Sequence, residues 1–117
     1  MIMLRRSGPA GEGTSRFHLG DLVQHKRYGY RGVIVSLDPV CRADEEWYGS
    51  KQTQPSRDQP WYHVLVDESL HVTYAAEENL MRDVVEAPVH HPLVEVYFKG
   101  FADGRYLRNG RVWEGWK

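Results

Sequence analysis

The longest run of strand-favouring residues in the chain is Pro60-Trp61-Tyr62-His63-Val64-Leu65-Val66-Asp67-Glu68. A proline begins this run, and two acidic residues followed by a serine end it, so its limits are sharp. Valine, leucine and aromatic side chains pack well against a pleated surface. The run therefore predicts a strand over Tyr62–Val66 that is buried on one face and partly covered on the other.

Three other segments are predicted to be strands that surround this one. They are Leu22–His25, Tyr30–Leu37 and His71–Ala75. The last of them follows the central run after a short acidic turn, which predicts a hairpin between the two. Alternation in the second segment places Val33, Val35 and Leu37 on one face. Gly32, inside the same segment, predicts a bulge or a tight corner.

The C-terminal part of the chain has a different period. Leu93, Tyr97 and Phe101 are spaced by four, which predicts a short helix between Pro92 and Gly100. Further on, Asn109-Gly110 is a strong signal for a type I′ turn and predicts a second hairpin. The paired segments of that hairpin would be Arg105–Leu107 and Arg111–Trp113.

Together these elements predict a mainly β protein, a small SH3-like antiparallel β-barrel with one short C-terminal helix. Residues 76–80 add a single helical turn. Residues 41–59 are rich in polar residues and form a long insertion loop. We expect residues 1–16 to be a disordered leader and residues 17–117 to be a single domain. Within that domain, residues 91–117 form a tail that packs on the barrel.

The composition is that of an ordinary globular protein. The chain has 117 residues, of which 41% are hydrophobic and 26% are charged. No apolar run approaches the length of about 18 residues that a membrane span needs, and no secretory signal is visible. Cys41 is the single cysteine, which fits a reducing compartment, so we expect a cytoplasmic location, or a nuclear one if the source is eukaryotic.

The net charge of −1 hides a segregation of charge along the chain. Residues 1–31 carry +4, residues 32–98 carry −8 and residues 99–117 carry +3. Two basic ends would form one basic face if the termini meet, although solvated surface charge explains the pattern equally well. The acidic middle argues against a high-affinity duplex binder, which needs many phosphate contacts.

Residue types that carry chemistry are present, but their spacing does not predict a catalytic or metal site. Six histidines lie on separate elements or side by side, and no His-x-x-x-His pair accompanies the single cysteine. Nothing positions Cys41 next to His63 as a nucleophile and base. Paired acids lie beside predicted turns, where solvated carboxylates are normal. We expect a protein that is not an enzyme and that has no metal or cofactor.

Binding residues are easier to nominate. Residues 25–31 bring three permanent cations and two tyrosines into a predicted loop. Cations engage phosphates, while tyrosines stack on bases, pack on a partner or anchor the loop. The candidate nucleic-acid-binding residues are therefore Lys26, Arg27, Tyr28, Tyr30 and Arg31. A separate set of aromatic residues is a candidate for protein contact, namely Trp47, Tyr48 and Trp61.

Four stretches of the chain, taken in order, resemble one family. They are His25–Ile34, Leu37–Cys41, Pro60–Glu68 and Thr73–Leu80. Their order and spacing resemble the YccV-like, or HspQ, domain, also called the hemimethylated-DNA-binding domain, over residues 17–82. The tail from His91 to Asn109 is similar to the version at the C-terminus of a vertebrate F-box protein. It departs from that version at Arg108-Asn109-Gly110, where the group tends to have Pro-Asn.

The resemblance implies a small β-barrel without catalytic activity and without catalytic residues. It implies two kinds of partner. The first is hemimethylated DNA, which the basic loop would contact. The second belongs to protein quality control, where the domain would act as an adaptor or specificity factor for a Lon-type or Clp-type protease or for a ubiquitin ligase, with the aromatic residues in contact with the partner.

Overall fold

The computed structural model describes residues 15–51 and 54–115, and these form seven strands, two short α-helices and one 3-10 turn. The strands are β1 (Leu22–His25), β2 (Arg31–Asp38), β3 (Trp61–Val66), β4 (Val72–Ala76), β5 (Leu80–Arg82), β6 (Phe98–Ala102) and β7 (Arg105–Arg108). The helices are α1 (Glu45–Gly49) and α2 (Val94–Tyr97), and the 3-10 turn is Glu77–Asn79. The predicted mainly β fold is confirmed. The predicted leader, residues 1–16, lies outside the described residues except for its last two.

Five strands form an antiparallel sheet in the order β4-β3-β2-β1-β5. The predicted strand at residues 62–66 is confirmed as β3, and all six of its residues are buried. The predicted hairpin between β3 and β4 is also confirmed. The sheet is not closed into a barrel, because β5 has three residues and pairs with β1 alone. The edge of the sheet at β4 therefore stays separate from the edge at β5.

The sheet is covered on both faces. One face carries a core of Phe17, Val23, Ile34, Tyr62, Val64, Ala75 and Leu80. The other face carries Leu22, Val33, Val35 and Leu65, and it packs against Val89, Phe98 and Tyr106. Segments after the fifth strand thus supply three of these seven buried residues, which explains how a sheet of short strands has both faces covered.

A β-bulge in β2 corrects one detail of the sequence prediction. Val33 and Val35 share a face, but Leu37 packs with the opposite core. The register between β2 and β3 shifts between Ile34 and Ser36, so one extra residue reverses the alternation beyond it. The predicted bulge at Gly32 is wrong in position, since Gly32 pairs regularly with β3. A Cβ atom there would lie 2.3 Å from the carbonyl oxygen of Leu65, so close approach is what requires the glycine.

The C-terminal hairpin is not the one predicted. β6 and β7 pair around Asp103-Gly104, and both residues have positive φ angles, 56° and 76°. The predicted turn at Asn109-Gly110 lies after β7, and residues 111–113 are not in a strand. The predicted helix between Pro92 and Gly100 is shorter than expected, because Phe98 leaves it to enter β6 and the second core.

The long loop is more ordered than its sequence indicates. Asp44 caps α1 by accepting a hydrogen bond from the backbone N–H of Trp47 at 2.8 Å. The loop returns to the sheet at Arg57, whose carbonyl oxygen accepts a hydrogen bond from the backbone N–H of Cys41.

Among the helices of residues 15–51 and 54–115, none is long and apolar enough to cross a membrane.

Candidate functional site

The turn between β1 and β2 holds three of the predicted nucleic-acid-binding residues on the surface. His25 is buried below the turn, and its Nδ1 accepts hydrogen bonds from the backbone N–H groups of Arg27 and Tyr28, both at 3.1 Å. The Tyr28 ring stacks on the His25 ring with centroids 4.7 Å apart, and the Arg27 guanidinium lies 5.8 Å from the Tyr28 centroid. His25 therefore stabilises a turn on which Lys26, Arg27 and Tyr28 are exposed together.

The protonation state of His25 matters to this arrangement. Burial, and then the positive charge of Arg27, lower the pKa of His25 below its usual range. The neutral ring leaves Nδ1 free to accept the two backbone hydrogen bonds. Both backbone hydrogen bonds to His25 are therefore present at neutral pH.

The other two predicted residues have different positions. Tyr30 points along the sheet, where its hydroxyl lies 2.8 Å from the Thr73 hydroxyl, and burial raises its pKa. Arg31 is largely enclosed, with ion pairs of 2.9 Å to both Asp67 and Asp83. It also donates to the backbone carbonyl groups of Ala87 and Pro88.

These contacts give Arg31 a structural role. Burial alone would lower the pKa of Arg31, but its hydrogen bonds to Asp83 and Asp67 outweigh burial and raise it. The side chain is 19% exposed, and its hydrogen-bonding edge faces two carboxylates. A phosphate would have to displace those partners, so the structure gives Arg31 a positioning role.

The three predicted protein-contact residues meet at the long loop. Trp61 is buried, and its ring lies edge-on to the rings of Trp47 and Tyr48, at 6.2 and 6.3 Å. The Tyr48 hydroxyl donates to the backbone carbonyl oxygen of Pro55 at 2.7 Å. Trp47 and Tyr48 therefore hold the loop against the sheet, and Trp61 belongs to the core beneath them.

Between the turn, α1 and the β3–β4 hairpin lies a groove of about 370 Å³. We call it the aromatic groove. Its volume falls in the range of small-molecule sites, which begins at about 300 Å³. Its ring-bearing lining residues are His25, Tyr28, Tyr30, Trp47, Trp61, His63, Tyr74 and Trp113. The groove thus brings together two residues of the predicted nucleic-acid-binding set, Tyr28 and Tyr30, and two of the predicted protein-contact set, Trp47 and Trp61.

The lining of the aromatic groove carries a positive charge. Among the described residues, no aspartate or glutamate lines it, while Lys51 does, with its Nζ 4.6 Å from the Trp47 centroid. The nearby Asp38 carboxylate accepts a hydrogen bond from the Tyr74 hydroxyl at 2.6 Å and pairs with Arg42. This carboxylate is therefore already engaged, which favours a neutral or anionic ligand over a cation.

Two residues of the groove, His63 and Trp113, were not among the contact residues predicted from sequence. The His63 ring lies between those of Tyr74 and Trp113, with centroids at 4.5 and 5.3 Å. Burial lowers the pKa of His63 to about 4, against a smaller opposing effect of Asp38, so the ring is neutral at pH 7. Trp113 reaches the sheet from the end of the tail, a contact between distant parts of the chain that no local pattern encodes.

A metal site is not formed by the described part of the chain. In residues 15–51 and 54–115, no three side chains of the His, Cys, Asp or Glu type are grouped closely enough to hold a metal ion. Cys41 is buried among Ala43, Trp61 and Ala76.

Comparisons with known proteins match most of the chain. A family model described as "Hemimethylated DNA-binding protein YccV like" matches residues 15–105. The chain is also similar to F-box only protein 21 from Homo sapiens, Mus musculus and Pongo abelii, with 35% identity over 99 residues in each case. The match covers 82% of this chain but 16% of each relative, so it concerns one part of those longer proteins.

Proposed function

The chain belongs to the YccV-like family, and from this premise we propose that it is a non-catalytic domain that binds DNA through the β1–β2 turn and the adjoining groove. The observation that carries this proposal is the display of Lys26, Arg27 and Tyr28 on one turn held by His25. Two cations can contact neighbouring phosphates while the tyrosine ring lies beside a base or sugar.

The proposal limits the strength of binding. Lys26, Arg27 and Lys51 are the cations of this surface, so about three phosphates would be neutralised. For a duplex this gives a slope of about −3 in a plot of log affinity against log salt concentration. Such binding is weaker and less salt-dependent than that of proteins with 6–10 phosphate contacts, which are typical of tight duplex binders.

The proposal is tested by titrating a labelled hemimethylated duplex at several salt concentrations. The double variant Lys26→Ala/Arg27→Ala should bind more weakly and should reduce the salt slope by about 2. The double variant Lys99→Ala/Arg108→Ala is a matched control, because it removes two exposed cations from the β6–β7 hairpin outside the groove. It should leave the slope within about one unit of the wild type. Absence of binding at low salt, or binding indifferent to salt, would contradict the proposal.

A second candidate is a protein-contacting domain in an F-box protein, as part of a ubiquitin ligase or of a protease adaptor. The similarity to F-box only protein 21 favours it, and Trp47 at the groove would be its contact residue. The test is a pull-down in which wild type recovers an identified ligase or protease subunit and Trp47→Ala does not. Equal recovery by both proteins would remove the groove from such a role.

A further inference from the structure

We propose that the aromatic groove accepts one unstacked nucleobase, so that the domain prefers DNA with an unpaired or single-stranded position to a fully paired duplex. This inference rests on the proposed DNA binding and adds the form of DNA that is recognised. It is carried by the shape of the groove, by the charge of its lining and by its polar groups.

The shape of the groove suits a flat ring. Tyr28, Trp47 and Tyr74 line it from three different elements: the turn, α1 and β4. Tyr28 is 56% exposed. One face of its ring is stacked on His25 and the Arg27 guanidinium lies 5.8 Å from its centroid, so a ligand would contact the part of the ring that these two neighbours leave exposed. A paired base has both faces covered by its neighbours, whereas an unstacked base can place a face against these rings. A volume of about 370 Å³ has room for one such group and not for a duplex.

The charge of the groove suits a nucleotide. Lys51 lies on the Trp47 ring and Arg27 on the Tyr28 ring, so two of the aromatic residues that line the groove each have a cation beside them. A nucleotide carries a flat ring and an anion about one sugar apart, which matches this pairing. A cationic ligand would meet Lys51 already placed over the Trp47 ring.

Two acidic residues next to the groove lining in sequence, Glu77 and Glu78, have partners elsewhere. Glu77 accepts hydrogen bonds from the Tyr62 hydroxyl and the backbone N–H of Arg16, both at 2.7 Å. Glu78 accepts one from the side-chain amide of Gln59, also at 2.7 Å. These carboxylates are directed to partners outside the groove lining.

The groove also offers polar groups for a base edge. Asn79 lines it, and its side-chain amide makes no hydrogen bond to a residue in the described part of the chain. An amide can donate and accept at once, as it does when asparagine reads a base edge. The same rings would also fit a proline-rich peptide, but the cations beside the rings favour the nucleotide.

The test compares four probes by quenching of intrinsic tryptophan fluorescence and by competition. The probes are a single strand, a fully paired duplex of the same sequence, that duplex with one bulged base, and a proline-rich peptide. We expect the single strand and the bulged duplex to bind about tenfold more tightly than the paired duplex. Both should quench tryptophan fluorescence, since Trp47 lines the groove.

Variants of Tyr28 separate stacking from general attraction. Tyr28→Ala should weaken binding of the bulged duplex about tenfold and leave the paired duplex within about twofold. Tyr28→Phe keeps the ring and should bind like wild type. Val85→Ala is the control, because Val85 is also an exposed large side chain, at 61%, and does not line the groove.

The outcomes distinguish this inference from the function on which it rests. Equal affinity for paired and bulged duplexes, both bound by the Lys26 and Arg27 turn, would overturn the inference and leave DNA binding standing. Failure of every oligonucleotide at low salt would overturn both. Quenching by the peptide, without a response to any oligonucleotide, would overturn the inference in favour of a peptide site.

Discussion

Replacing Arg31 by methionine tests whether this residue positions the fold or contacts DNA. Methionine keeps much of the apolar length and removes the guanidinium. Asp83, whose side chain is 1% exposed, would then keep a single long hydrogen bond from the backbone N–H of Glu86 at 3.3 Å. Removing one partner of a buried ion pair costs about 3–5 kcal/mol, because the other charge is left without compensation.

We expect the lower end of that range, about 3 kcal/mol, because Arg31 is 19% exposed and water can reach part of the vacated space. For a domain of this size, 1 kcal/mol corresponds to a shift in melting temperature of about 4–8 °C. Arg31→Met should therefore melt about 12–24 °C below wild type at neutral pH. Arg27→Met, at the exposed turn, is the matched control and should change stability by less than about 0.5 kcal/mol.

The measurements are thermal and urea unfolding of wild type, Arg31→Met, Asp83→Asn and the double variant. The double variant removes the more deeply buried of the two charges that Arg31 compensates, that of Asp83, while Asp67 keeps its hydrogen bond from the backbone N–H of His90. It should therefore be no less stable than Arg31→Met alone. Additive losses, or a change in melting temperature below about 4 °C for Arg31→Met, would refute the positioning role.

The pH dependence adds a second check on the same network. Burial alone would raise the pKa of Asp67, but the hydrogen bond from the backbone N–H of His90, together with Arg31, outweighs burial and lowers it. The folded protein thus releases this proton more readily than the unfolded chain, so its contribution is present above about pH 4 and is lost as the pH falls through the lowered value. Arg31→Met should flatten this acid-dependent loss.

Three further predictions concern other parts of the fold. Gly32→Ala should lose about 2–3 kcal/mol in urea unfolding, because its Cβ atom would lie 2.3 Å from a β3 carbonyl oxygen. Gly49→Ala, whose Cβ atom would have no neighbour within 4 Å, is the control and should be neutral or slightly stabilising. Equal effects of the two substitutions would contradict the close approach at Gly32. The folded protein holds His63 neutral with a pKa of about 4, so the free energy of unfolding should fall by up to about 3 kcal/mol as the pH drops from 6.5 to 4. His63→Gln should flatten that fall, and an unchanged pH dependence would show that His63 is not its source. Tyr106→Phe should cost about 1–2 kcal/mol, since it leaves the buried N–H of Val89 without the hydroxyl that accepts from it at 2.9 Å, and an unchanged unfolding midpoint would rule this out.

Four of the five strands of the larger sheet follow from local sequence, whereas β5 is not predicted, since Leu80 is assigned to a helical turn. The run at Trp61–Val66 is apolar because both of its faces are buried, so its composition alone predicts β3. β1 has the predicted limits, and β2 and β4 each begin one residue later than predicted. The family is also predicted from sequence, because its order of motifs lies in these same strands.

The C-terminal hairpin shows where local signals become ambiguous. Asp103-Gly104 and Asn109-Gly110 are both type I′ signals. The first is used because it lets Phe98 and Phe101 pack with Tyr106 in the second core, which the sequence near the turn does not reveal. The helical spacing of residues 93–101 predicted a helix in the region where the structure forms β6, the strand that the hairpin requires.

The candidate site divides in the same way. Sequence by itself determined which residues carry charge and aromatic rings, and it predicted that Lys26, Arg27 and Tyr28 share a turn. Tertiary structure alone decided that Arg31 faces two carboxylates, and that Trp113 joins His63 at the groove. The physical reason is that charge and ring type belong to single residues, whereas ion pairs and grooves arise from contacts between strands far apart in the chain.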